Sequence, residues 1–241
     1  DKLTGQEVYR VGDELASYAS LMVTPIGGQS TGLAFLRDGL MGWEPASGKL
    51  LFNFPWRSSM LESVNAAMPV VAGDRVLISE AYEVGSALLS LQHGQPPSVV
   101  WQDSGPRSRC RFRAHWATPV AIDGYLYGCS GRNGPDTDFR CVRLSDGEVM
   151  WTDRDRDRQR SSLLLVDGYL VVLGETGTLE LIRPSPDGLQ VLKRANLNAI
   201  NDPRSGEPLA EYPCWAAPVV SHGLLYIRGN HRLICLDLIP Q

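Results

Sequence analysis

Short apolar runs alternate along the chain with turn residues, and the same order of run and turn keeps returning. One recurring segment is a proline, an apolar run and a glycine turn: Pro69-Val-Val-Ala-Gly73, Pro119-Val-Ala-Ile-Asp-Gly124 and Pro218-Val-Val-Ser-His-Gly223. Leu163 stands in the place of proline ahead of Asp167-Gly168. A second run follows each turn, so each segment predicts an antiparallel hairpin. A further landmark is a turn glycine with a bulky apolar residue four positions on: Gly5 and Tyr9, Gly48 and Phe52, Gly147 and Trp151, Gly188 and Leu192. Gly94 leads to Trp101 by a longer step. These glycines recur roughly 41 to 53 residues apart, a period that marks an array of one supersecondary unit.

The best-formed unit predicts strands over 117–122, 125–129, 139–144 and 148–152. Four such strands make one meander, which matches a propeller blade. The prediction is an all-β chain, a β-propeller of about five four-stranded antiparallel blades with very little helix. Blades are placed at 21–57, 65–103, 115–153, 161–195 and 214–238 within one domain, 1–241. The apolar first strand of each should be innermost, with the more charged later strands facing solvent. Tyr9, Phe52, Trp101 and Trp151 should wedge against the neighbouring blade, since a large aromatic buries ~150 to 250 Å². The last unit stops after its third strand, 233–238, whereas Gln6–Val11 reads as a solitary outer strand. Either the two ends pair to shut a five-bladed ring, or the chain is the C-terminal part of a propeller of seven or eight blades. Its start inside a Leu-Asp-x-x-Thr-Gly-like motif favours the second.

Composition narrows the function. A formal net charge of −4 argues against a nucleic-acid surface, because phosphate binding rests on Lys and Arg. No apolar run approaches the ~20 residues of a membrane helix. No signal segment is present, and Asp1 begins inside a repeat motif, so export is left open on this ground. Cys110, Cys129, Cys141, Cys214 and Cys235 include no C-x-x-C spacing, which indicates neither a metal knuckle nor a redox motif. Buried free thiols are expected; Cys129 and Cys141, on neighbouring strands, leave a single bridge open.

Asp1-Lys-Leu-Thr-Gly-Gln-Glu-Val-Tyr9, Glu44-Pro-Ala-Ser-Gly-Lys-Leu-Leu-Phe52 and Leu144-Ser-Asp-Gly-Glu-Val-Met-Trp151 resemble the tail of the pyrroloquinoline-quinone (PQQ) type propeller repeat. Gly124-Tyr-Leu-Tyr127 and Gly223-Leu-Leu-Tyr226 are similar to its second strand. The resemblance covers essentially the whole chain and is to the bacterial PQQ-like propellers, which include quinone-dependent alcohol dehydrogenases and non-enzymatic scaffolds such as the outer-membrane assembly lipoprotein. It implies an exported, periplasmic protein. The dehydrogenases of this family hold quinone between a tryptophan and a disulfide of adjacent cysteines, above calcium and a catalytic aspartate. No Cys-Cys occurs here, and calcium needs six to eight oxygen ligands that local spacing does not assemble. No cofactor is therefore expected; PQQ with calcium belongs only to the alternative, a quinone-dependent dehydrogenase of alcohols or sugars.

Residues just ahead of each innermost strand should gather at one mouth of the central channel: Tyr18 and Ser20, Glu62 and Asn65, His115 and Trp116, Arg160 and Ser162, Tyr212 and Trp215. Polar groups and aromatics converging on a concavity are the default expectation for a binding site. A structural rim is the competing reading, since buried Trp and His commonly serve structure. The expected function is a non-catalytic platform for a protein, glycan or small ligand, on a scaffold whose loops carry recognition. No catalytic or metal residue is assigned.

Two further patterns have bland readings. Asp153-Arg-Asp-Arg-Asp-Arg158, followed by Gln159-Arg160, alternates in sign and reads as a self-neutralising inter-blade loop. Arg107, Arg109, Arg111 and Arg113 form a second stripe; together the two are a candidate anion site. Gly28-Gln-Ser-Thr-Gly32 matches the G-x-S-x-G nucleophile elbow, which works on a strand-to-helix turn beside a histidine and an acid. Here it falls between two strands of a meander. A fluorophosphonate probe followed by peptide mass mapping should leave Ser30 unlabelled, and stoichiometric labelling would reverse the hairpin reading.

Overall fold

The computed structural model describes residues 1–92, 94–104 and 106–239. The chain divides into two compact units, Asp1–Cys110 and Arg111–Gln241. The first holds two antiparallel meanders: β1 (Met22–Ile26), β2 (Gln29–Leu36), β3 (Gly39–Trp43) and β4 (Leu50–Pro55), then β5 (Val70–Ala72), β6 (Arg75–Glu80), β7 (Gly85–Ser90) and β8 (Ser98–Gln102). The second holds β9 (Val120–Ile122), β10 (Tyr125–Ser130), β11 (Asp138–Arg143) and β12 (Val149–Asp153), then β13 (Ser162–Val166), β14 (Tyr169–Leu173), β15 (Thr178–Arg183) and β16 (Gln190–Asn196), and a three-stranded sheet of β17 (Val219–Ser221), β18 (Leu224–Arg228) and β19 (Leu233–Asp237). The described residues form five antiparallel sheets, and the described helices are short 3-10 turns at 107–109, 156–158 and 197–199.

Turn chemistry sets these boundaries. Asp123 and Gly124 have φ of 50° and 81°, Asp167 and Gly168 48° and 79°, and His222 and Gly223 52° and 76°. Two successive positive φ values define the hairpin turn whose twist matches that of the flanking strands. Between third and fourth strands, every complete sheet carries a register shift: at Gly42/Trp43, Leu88/Leu89, Cys141/Val142 and Leu181/Ile182. Past the shift, Phe52 pairs with Gly42, Trp101 with Leu88 and Trp151 with Cys141, whereas Lys193 pairs with Leu181. Leu192 therefore takes the bulge position and stays exposed. Its spacing from Gly188 imitates the landmark without placing it as a wedge.

Middle strands make the core. In the first unit Leu33, Phe35 and Leu40 meet Val76, Ile78 and Leu89. In the second, Leu170 and Val172 face Tyr127, Phe139 and Cys141, while Val171 and Leu173 face Leu225 and Ile227. The period of two along β14 thus covers both of its faces with another sheet. Trp151 behaves as the expected wedge: it lies 6.1 Å from Tyr127 and 6.0 Å from Phe139, and its Nε1 donates to the carbonyl of Ser185, on the loop between β15 and β16, at 2.9 Å. The first strands β5 and β9 are three residues long and half-buried, and β17 is more exposed still, whereas β13 buries Ser162 and Leu163.

The segment 6–11 corrects an expectation. It forms no strand. Val11 packs against the first sheet beside Ala34, Met41 and Trp43. The Tyr9 ring occupies the space a Cβ on Gly48 would need, and its hydroxyl donates to the Pro45 carbonyl at 2.8 Å. Side-chain burial, without a ladder, holds this segment. All five cysteines are free: Cys129 faces Phe139 and Cys141 faces Tyr127 across the ladder, and Cys129 Sγ donates to the Arg158 carbonyl at 3.0 Å.

The alternating run also neutralises itself, but by turning inward. Arg158 is buried and pairs with Asp153 and with Glu180, the latter at 2.5 Å, while Arg194 reaches Asp155 at 2.7 Å. Arg113 is buried against Asp136 at 2.8 Å, so the second stripe is not uniformly presented to solvent. Trp151→Ala should lower stability by about 3 to 5 kcal/mol, whereas Leu192→Ala should change it by less than about 1 kcal/mol. Urea midpoints of the two variants check the difference.

Candidate functional site

Six of the ten expected site residues lie in the second unit, and the structure brings them together at the starts of β9, β13 and β17. His115 and Trp116 precede β9, Arg160 precedes β13, and Tyr212 and Trp215 precede β17. The His115 and Trp116 rings are 4.5 Å apart, Trp116 and Trp215 5.4 Å, and Tyr212 meets Trp215 edge-on at 5.9 Å. The Arg160 guanidinium carbon stands 5.0 Å from the Trp116 ring centre and 5.4 Å from that of Trp215. A cation between two indoles gains about 0.5 to 2 kcal/mol per ring, more as water is excluded. Ser162 is buried, and its hydroxyl donates to the Trp215 carbonyl at 3.0 Å. It braces the cluster from behind.

The residue that joins the group was absent from the sequence expectation. Glu175 sits at the tip of the β14–β15 hairpin, where Gly174 N–H donates to the Thr178 carbonyl at 2.8 Å. A Cβ on Gly174 would lie 1.9 Å from the Asp157 carbonyl oxygen, so only glycine lets the hairpin approach the loop ahead of β13. The Glu175 carbonyl then accepts from Cys214 N–H at 2.9 Å, which ties in the loop ahead of β17. Glu175 Oε2 receives Arg160 Nε at 2.8 Å, Arg160 Nη2 at 2.5 Å and Trp215 Nε1 at 3.0 Å. Tyr212 Oη accepts from Arg160 Nη2 at 3.4 Å. A signal for Glu175 does exist. In a meander the end of the second strand lies beside the start of the first, so the hairpins at 131–137 and 174–177 reach the same end as His115 and Arg160.

Arg160 itself has φ of 48°, a left-handed conformation that costs a non-glycine residue roughly 1 kcal/mol. The ion pair and the two indoles offset that cost. Burial opposes its charge, and Glu175 more than compensates, so the guanidinium pKa lies above its ordinary value. His115 responds the other way. Burial, then the charges of Arg132 and Arg160, lower its pKa from 6.5 to about 4, leaving a neutral imidazole at pH 7. Trp116 Nε1 is buried without a hydrogen-bond acceptor. Tyr212 and Trp215 remain 50% and 43% exposed, so the cluster presents aromatic faces above a neutralised ion pair.

The four candidates of the first unit form a separate arrangement. Asn65 is buried; its Nδ2 donates to the Leu36 carbonyl at 2.7 Å, and its own carbonyl accepts from Tyr18 N–H and Ala19 N–H, each at 3.1 Å. Its amide is spent on holding two loops. Tyr18, Ser20 and Glu62 are exposed. Ser30, in the G-x-S-x-G segment, lies on β2 opposite Pro25, in a hairpin with no helix. Among the described residues, no group of three or more His, Cys, Asp or Glu side chains is placed to hold a metal ion. The chain has no adjacent cysteines.

No protein-family model matches the chain, and no curated protein does. Solved structures do. The computationally designed Ika8 protein aligns with a TM-score of 0.62 at 11% identity, over 98% of this chain and 63% of that one. A europium-containing methanol dehydrogenase aligns at 0.58 and 14%, over 87% and 51%. The quinohemoprotein alcohol dehydrogenase from Comamonas testosteroni aligns at 0.56 and 11%, over 82% and 42%. This chain thus spans less than two thirds of the length of each. The likenesses support a β-propeller fold, and at these identities they bear on the fold alone.

The lowered pKa of His115 links stability to pH. A histidine whose folded pKa is depressed contributes fully above its unfolded value near 6.5, and that contribution is lost as pH falls toward about 4. Between those limits the urea midpoint of the wild type should fall more steeply than that of His115→Gln, and the His115 ring should titrate near 4 by NMR.

Proposed function

We propose that this chain is a non-catalytic binding platform of the PQQ-repeat type, with its ligand site at the cluster of Tyr212, Trp215, Arg160 and Glu175. The observation that carries this reading is the half-exposed Trp215 ring, 5.4 Å from an Arg160 guanidinium fixed by Glu175, with the half-exposed Tyr212 ring edge-on beside it. Large rings offer contact area with few rotatable bonds, and a pre-formed polar base orients what they hold. A general base works best with a pKa near the operating pH, and His115, at about 4, is poorly matched to proton transfer at neutrality. The ligand is a protein segment, a glycan or a small molecule. An exported, periplasmic setting rests on the repeat resemblance alone.

A thermal-shift screen of glycans, peptides and small metabolites tests the site, because a ligand that binds only the folded state raises its stability. Stabilising compounds should lose their effect on His115→Ala and Trp215→Ala proteins, and an identical response from the variants would remove this site. Dye-linked oxidation of alcohols and sugars after addition of PQQ and calcium should stay at background. Turnover, with quinone absorbance retained by the protein, would establish the dehydrogenase reading instead.

A further inference from the structure

Resting on the reading of this cluster as a binding site, we propose that its ligand is an uncharged carbohydrate, with a sugar ring laid on the half-exposed Trp215 side chain.

A cationic ligand finds its place filled. The space flanked by the Trp116 and Trp215 rings, which would attract an ammonium or guanidinium group, already holds the Arg160 guanidinium at 5.0 and 5.4 Å. An anionic ligand finds its cation committed. Arg160 gives Nε and Nη2 to the Glu175 carboxylate, and that carboxylate repels a second one. His115, held neutral, adds no charge. The site therefore rewards a ligand with no net charge and one apolar face.

The polar groups beside Trp215 then choose among uncharged ligands. Glu175 Oε2 accepts the three bonds from Arg160 and Trp215, and Oε1 takes part in none of them. Tyr212 Oη accepts from Arg160 and keeps its own proton to donate. A carboxylate oxygen beside a hydroxyl donor suits a group that both donates and accepts, and a sugar hydroxyl does both. A proline-rich segment would also stack on the rings, but its backbone offers carbonyl acceptors and no donor for Glu175. A pyranose combines the two demands, with ring C–H groups against the indole and hydroxyls at its rim.

Tryptophan fluorescence titration and saturation-transfer NMR test this with named probes: N,N′-diacetylchitobiose, cellobiose and maltose as neutral sugars, with glucosamine, galacturonate and a hexaproline peptide alongside. At least one neutral disaccharide should bind, with saturation strongest on its ring C–H protons. Trp215→Ala should weaken that binding at least ~10-fold, the scale expected of a central aromatic anchor. Tyr212→Ala, at a half-exposed ring whose loss the fold tolerates, should weaken it several-fold, and circular dichroism verifies both folds. Tighter binding of a charged sugar or of hexaproline than of every neutral disaccharide overturns the carbohydrate assignment and leaves the platform standing. No response to any probe overturns the carbohydrate assignment, and the platform then stands or falls on the thermal-shift screen.

Discussion

The β13–β16 sheet is apolar on both faces, and that constraint governs the second unit. A strand such as β14 alternates Leu170 and Val172 with Val171 and Leu173, all buried. Water can be excluded from both sets only if another sheet lies on each side. Within the second unit, the β9–β12 sheet covers one set and the β17–β19 sheet the other. The contact is made by middle strands, because edge strands have a neighbour on one side only. Bulky side chains such as Trp151 then fill the outer part of the gap between successive sheets.

The candidate site follows from where such strands end. Antiparallel meanders place the start of the first strand and the second hairpin at the same end of a sheet, so three successive sheets deliver three pairs of loops to one place. Those loops carry residues that could not be buried inside. Arg160, Glu175 and the Trp215 indole satisfy one another instead, and the left-handed backbone at Arg160 persists because the ion pair and both rings hold the side chain. Gly174 contributes by what it lacks. Its missing side chain admits the Asp157 carbonyl, and with it the approach of Glu175 to Arg160.

The two charged stretches show how burial changes the meaning of a motif. As text, Asp153-Arg-Asp-Arg-Asp-Arg158 is a solvated loop. In the fold, Arg158 is buried against Asp153 and Glu180, where removal of one partner would leave an uncompensated charge. Glu180 lies on β15, a strand of the next sheet, so no local pattern announces the pairing. His115 is a similar case. Its spacing in the chain says nothing of Arg132 or Arg160, whose charges, with burial, set its protonation.

Strand order and turn positions were legible in the amino-acid sequence because they arise from interactions a few residues apart: alternation of apolar side chains, glycine at positive φ, and proline ahead of a strand. The same local logic picked out His115, Trp116, Arg160, Tyr212 and Trp215, since each precedes a recognisable first strand. Local spacing also misled where only register decides, making Leu192 look like Trp151 and 6–11 look like a strand. Glu175, the inward turn of Arg158 and the packing of Tyr9 on Gly48 were settled by tertiary structure alone. Each depends on which sheet lies beside which, and hydrophobic burial between sheets carries that information over distances no short motif spans.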